Sequence, residues 1–244
     1  MTSVHQTVLL HPIPIPMKTN LSRMFLAGQR AKTGLPWFKS LHGFNFGTHQ
    51  HPGKDPVAPL RVWNENALQA GKTVSMQVEA PSDVLILPLV GGLRFKTVHQ
   101  ESWVENGQLL AASLSPGTSY EILNPYEEDW ISYLEIGVEK ENPATSPSVS
   151  IHPVNTHQTN TLHPLFTSGQ ANAFFGIYNG QEEDLFLTSH DLFVFVIEGA
   201  FEVDYKLLEA RDAVAISRPG EIEFEALSDR AMLLIFELKP EFTA

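Results

Sequence analysis

Apolar residues along this chain recur in short runs and strict alternations, and amphipathic helical spacing is hard to find. The runs Thr73–Val78, Val84–Leu89, Leu109–Leu114, Ile131–Val138, Ala173–Tyr178, Leu192–Ile197, Phe201–Tyr205, Ala213–Ser217, Glu221–Ala226 and Ala231–Leu238 are each of strand length. Gly, Pro, Asn or Asp separates them, which predicts an all-β fold of antiparallel sandwiches or barrels. "EIEFEA" alternates fully: Ile222 and Phe224 point one way, Glu221, Glu223 and Glu225 the other, as in a half-buried strand. Residues 139–164 break the pattern with Pro, Ser, Thr, Asn and His, and read as a connector; Val149–Val154 could be a strand within it.

The two sides of that connector echo one another. "LPLVGGLRF" at 87–95 parallels "VFVIEGAFEV" at 194–203, and "VENGQLLAASLSPGTSYEI" parallels "LEARDAVAISRPGEIEFEA". Two copies of one β unit fit best, with an N-terminal domain over 1–140 and a linker plus C-terminal domain over 141–244. Two fused barrels cover one another's faces, which favours a monomer.

Composition narrows the function. The chain has 244 residues, 43% hydrophobic and 18% charged, with a formal net charge of −12. That charge repels phosphate backbones and argues against direct nucleic-acid binding. Cysteine is absent, which removes disulfides, thiolate nucleophiles and Cys-ligated zinc, and suits a cytoplasmic setting. "MTSVHQTVLLHPIPIPMK" has no basic start or long apolar run and reads as no signal peptide. The longest apolar stretch, "DVLILPLVGGL", is about half of what a membrane helix needs, so no membrane association is expected.

The glycine turn before a strand, followed by Gly-x-strand-x-Pro-Gly, resembles the core of the cupin superfamily, and two such units resemble a bicupin. A narrower likeness rests on "PWFKSLHGFNFG", "APLRVWNEN" and "LQAGKTVSMQVEAPSDVLILPLVGGL". These stretches are similar to the N-terminal domain of the pirin family, over roughly residues 28–138. The resemblance implies two tandem antiparallel β-barrels, an iron ion held in the first by three histidines and a glutamate, flavonol dioxygenase activity in some members, and regulatory protein partners. Counted without gaps from Asn64 and from Gly91, the family's first two histidines fall on Gln77 and Glu79. Counted from Gly107 and from Asn124-Pro125, its third histidine falls on Tyr120 and its glutamate on Ile122. All four ligands are thus replaced, and an amide, a carboxylate, a phenol and an aliphatic chain make a poor set for ferrous iron. The expectation is no metal and no cofactor, with weak binding of a divalent metal such as iron as the alternative. Gln77, Glu79 and Tyr120 could instead orient a small organic ligand by hydrogen bonds.

Other candidates have simpler readings. "GTHQHPG" offers His49 and His51 as a metal pair, but it precedes "PLRVWNEN" and lacks a third ligand, so a surface loop is expected. His42 is expected to be packed and hydrogen-bonded. His152, His157 and His163 are spaced wrongly for a metal, and Glu183, Asp184 and His190 fit a strand-entry turn better than a ligand set. Trp37, Phe38, Phe44 and Phe46 are expected in core or inter-domain packing. No nucleophile elbow, phosphate loop, dinucleotide fingerprint or HExxH is present. The first functional expectation is therefore a metal-free, pirin-like bicupin that binds a small molecule or a regulatory protein. The alternatives are a cupin enzyme, dioxygenase-like or using Glu79 and Tyr120 for acid–base chemistry, and a scaffold presenting an acidic or apolar surface.

Overall fold

The computed structural model describes residues 20–143 and 147–239; the N-terminal stretch read for a leader lies outside them. The described residues are all-β apart from one 3-10 turn at Ala27–Gln29. Every run singled out above forms a strand, with ends shifted by a residue or two, and the connector holds one at Ser148–Pro153. No helix among the described residues is long and apolar enough to cross a membrane.

Each half pairs a large sheet with a four-stranded one. In the first half the central order of the large sheet is Gln108–Leu114, Ser82–Val90, Ile131–Glu139, Leu60–Leu68. In the second it is Ala213–Ile216, Asp191–Glu198, Ala231–Leu238, Ala171–Tyr178. Corresponding segments thus occupy corresponding places, as the sequence echo predicts. The turns repeat as well. Gly91 and Gly199 both have positive φ, 73° and 77°. A Cβ on Gly91 would meet Ile131 at 2.9 Å and one on Gly199 would meet Ala231 at 2.8 Å, so each turn requires glycine twice over.

The pairing does not follow the 140/141 division strand by strand. Ser22–Phe25, from the start of the chain, adds to the edge of the second large sheet beside Ala213–Ile216. Ser148–Pro153, from the connector, adds to the equivalent edge of the first beside Gln108–Leu114. Each half is completed by a strand from outside its own run of sequence.

The outer faces of the two large sheets pack together into one apolar layer. Trp63 sits within it with ring centroids 4.7, 5.0 and 5.5 Å from Phe193, Phe195 and Phe236 of the other half. Phe25 and Phe44 each pack edge-on against Phe193. Glu65 bridges the halves at the margin, 2.8 Å from Arg30 and 3.3 Å from Arg211. One further core fills the inside of each barrel.

On the small sheet of the second half, Ile222 and Phe224 are buried while Glu221 and Glu223 are exposed, as the alternation predicts. Glu225 lies opposite Glu183 on one neighbouring strand and Glu202 on the other, so three carboxylates share a row. They border a shallow acidic hollow of about 440 Å³.

Truncating Trp63 to alanine is expected to cost about 3–5 kcal/mol of unfolding free energy by urea titration, since a fully buried aromatic leaves a cavity. Replacing Glu225 by glutamine is expected to stabilise by roughly 0.2–1 kcal/mol at low salt by removing directly opposed like charges. That gain should shrink as salt rises, and an equal gain at 1 M salt would contradict the electrostatic cause.

Candidate functional site

The inner face of the first large sheet and the small sheet Thr73–Gln77, Ser119–Leu123, Leu93–Thr97, Glu101–Val104 enclose a cavity of about 830 Å³. Its buried end is formed by Ser40, Val78, Val84, Tyr120 and Glu135, each less than 9% exposed. Its open end carries Phe46, Gly47, Arg61, Gln77 and Glu79. The second barrel differs. Tyr178, Phe201 and Phe224 meet edge-on inside it and its centre is packed.

Pleat geometry decides what faces the cavity. Tyr120 is paired with Met76 and points inward; Ser119 is paired with Gln77, and both are exposed on the opposite face. The Gln77 amide donates to the Gly117 carbonyl at 3.1 Å. Glu79 is exposed at the rim. Ile122 is fully buried in the barrel core. The three candidates Gln77, Glu79 and Tyr120 all border one cavity, but only Tyr120 reaches its buried end.

Tyr120 meets there a residue that sequence reading missed. Its phenol donates a short hydrogen bond to Glu135, and the Asn66 amide donates to the other carboxylate oxygen at 2.7 Å. Glu135 is 5% exposed and Asn66 not at all. Burial, and then the Glu135 charge, push the Tyr120 phenol well above its ordinary range, so it stays a neutral donor. Tyr133, two residues before Glu135, is raised by the same two causes in the same order, with Asn66 opposing. Among the described residues, the Ser40 and Tyr133 hydroxyls and the Asn66 carbonyl oxygen are buried without a hydrogen-bond partner. The available signal was the carboxylate in the middle of "ISYLEIGVE", a strand buried over most of its length.

At the open end His42 makes two hydrogen bonds, to Thr33 at 2.7 Å and Asn64 at 2.9 Å. It stacks on Phe46 at 3.8 Å, and Phe46 stacks on His49 at 4.8 Å. His49 is thus part of an aromatic stack, while the His51 ring lies 2.9 Å from its neighbour's Pro52 carbonyl. Burial lowers the His42 pKa; the Asn64 bond opposes this and nearby His49 adds to it. Elsewhere Asp184 accepts from Tyr178 at 2.6 Å, and the His190 amide caps a turn on Thr188.

An iron ion at positions 77, 79, 120 and 122 does not fit this donor set. One residue has no lone pair, one faces away, and the phenol is committed to Glu135. Among the described residues no group of three or more His, Asp or Glu converges closely enough to hold a metal.

Comparison with known proteins agrees with the fold. Residues 177–238 match the family described as quercetinase C-terminal cupin domain. No curated protein matches the sequence significantly. The structure of YhhW from Escherichia coli superposes with a TM-score of 0.81 at 18% identity, over 92% of this chain and 100% of that one. The same bacterial pirin in complex with nickel(II) gives 0.80 at 17%, over 91% and 100%. A quercetin 2,3-dioxygenase from Acinetobacter baumannii gives 0.67 at 15%, over 92% and 88%.

Because a histidine with a lowered folded pKa binds its proton less readily than in the unfolded chain, stability should be full above 6.5, the unfolded value, and decline as pH falls below it. Unfolding midpoints at pH 7.5 and 5.5 should show this loss, and His42→Gln should reduce it. Tyr120→Phe, which strips a donor from a buried carboxylate, should cost about 1–3 kcal/mol.

Proposed function

We propose that this pirin-like bicupin binds a small organic molecule in its N-terminal barrel without an iron ion, in a sensing or regulatory role. The observation that carries the reading is a cavity of about 830 Å³ whose buried end holds Tyr120, at a position where the family resemblance implies a histidine, together with Glu135 and Ser40. A concave, mostly apolar chamber with a few convergent polar groups is what small-ligand sites look like. The Ser40 hydroxyl, buried without a partner, is a group that an occupant could satisfy. Glu79 at the rim would contact the exposed end of the ligand, and Gln77 borders the same rim with its amide turned to the Gly117 carbonyl. The lack of cysteine suits a cytoplasmic location.

The nickel complex of the Escherichia coli pirin and the Acinetobacter dioxygenase support the rival reading, a metal-dependent oxygenase. Elemental analysis of the purified protein separates the two. The proposal expects less than stoichiometric iron or nickel, and no loss of melting temperature on dialysis against EDTA. One bound metal per chain, with stability lost on chelation, would overturn it. Met76→Trp, which fills the chamber, should abolish the melting-temperature gain given by any hit from a metabolite screen.

A further inference from the structure

The Glu135 carboxylate is held by two neutral donors and by no cation. Among the described residues no Lys, Arg or His nitrogen lies within 4.0 Å of it, although eight other ion pairs form. The phenol of Tyr120 and the amide of Asn66 occupy one lone pair on each oxygen and contribute no net charge. A carboxylate 5% exposed and without a counter-charge is costly, and buried charges in proteins are ordinarily paired. The rest of the cavity wall does not supply the charge. Arg61 is spent on Glu139 at the open end, Glu79 adds a second negative charge, and burial disfavours a charged His42.

Resting on the reading of this chamber as a ligand site, we infer that its occupant carries a protonated amine that pairs with Glu135. The acidic end is lined by apolar side chains, Met76, Val78 and Val84, which suits a carbon skeleton behind the ammonium group. Phe46 at the open end suits an aromatic or aliphatic tail. An anionic ligand would meet Glu79 and Glu135 with like charge. The chemical class is therefore a primary or secondary organic amine; anions such as carboxylates and phenolates are disfavoured.

Three probes of nearly one shape test this: 2-phenylethylammonium chloride, 2-phenylethanol and sodium phenylacetate, titrated calorimetrically into the full chain at pH 7. The ammonium probe should bind wild type at least tenfold more tightly than the alcohol, and the carboxylate should be weakest. In Glu135→Gln the tenfold preference should vanish, and the melting temperature of the ligand-free variant should rise above wild type. Should that variant fail to fold, wild type labelled with ¹³C gives a second readout. The carboxyl carbon of Glu135 should move on adding the ammonium probe and not on adding the alcohol. Equal binding of alcohol and ammonium, a preference that survives Glu135→Gln, or no binding of the ammonium probe at all would overturn the amine inference. Binding of the alcohol blocked by Met76→Trp would leave the chamber itself standing as a ligand site; bound iron would remove that premise instead.

Discussion

The packing of Trp63 against Phe193, Phe195 and Phe236 is the contact on which the rest of the architecture depends. It glues one face of the first large sheet to the other half of the molecule and so frees the opposite face to line a chamber. The pleat then assigns alternate residues to different work. On the strand Ile131–Glu139, Leu134 and Ile136 belong to the shared apolar layer, while Tyr133 and Glu135 face into the barrel. A slip of one residue would bury Glu135 among phenylalanines and open Leu134 to the cavity, so the register that gives stability also gives the site.

This double use explains what the sequence disclosed and what it hid. The strands were legible because short apolar runs separated by turn residues have few other folded solutions. So was the duplication, because glycine turns must recur where backbone passes close to backbone. Glu135 was not legible. A strand buried on both faces reads as a continuous apolar run, and a single carboxylate in it gives no clue to which side it takes. Alignment by counting put Gln77 and Glu79 beside the right chamber. It could not show that their neighbours Met76 and Val78 are the residues turned inward. Ser22–Phe25 escaped notice for another reason: four residues carry little periodicity, and their partner lies near the other end of the chain.

The two barrels share a topology and differ in what fills them. In the second, aromatic rings occupy the centre and a tyrosine, Tyr178, bonds to Asp184 where the chain enters a strand. In the first, the equivalent volume is left open and a tyrosine bonds to a carboxylate at its base. The second half packs on the outer face of the first large sheet and none of its described residues lines the chamber, and the recognisable cupin sequence at 177–238 lies in that half.

The exchanged edge strands carry a consequence for how the molecule is made. Ser22–Phe25 is made before the first barrel, yet the sheet edge it completes, Ala213–Ile216, is made after it. The first barrel can collapse while the polypeptide is still being extended, but the segment that precedes it must stay unpaired until Ala213–Ile216 has been synthesised. A nascent chain of this design carries an unsatisfied β-segment while everything between those two strands is being made. Anything that holds or shields that segment, a chaperone for example, therefore acts at the step that decides whether the two halves join correctly or pair with those of another chain.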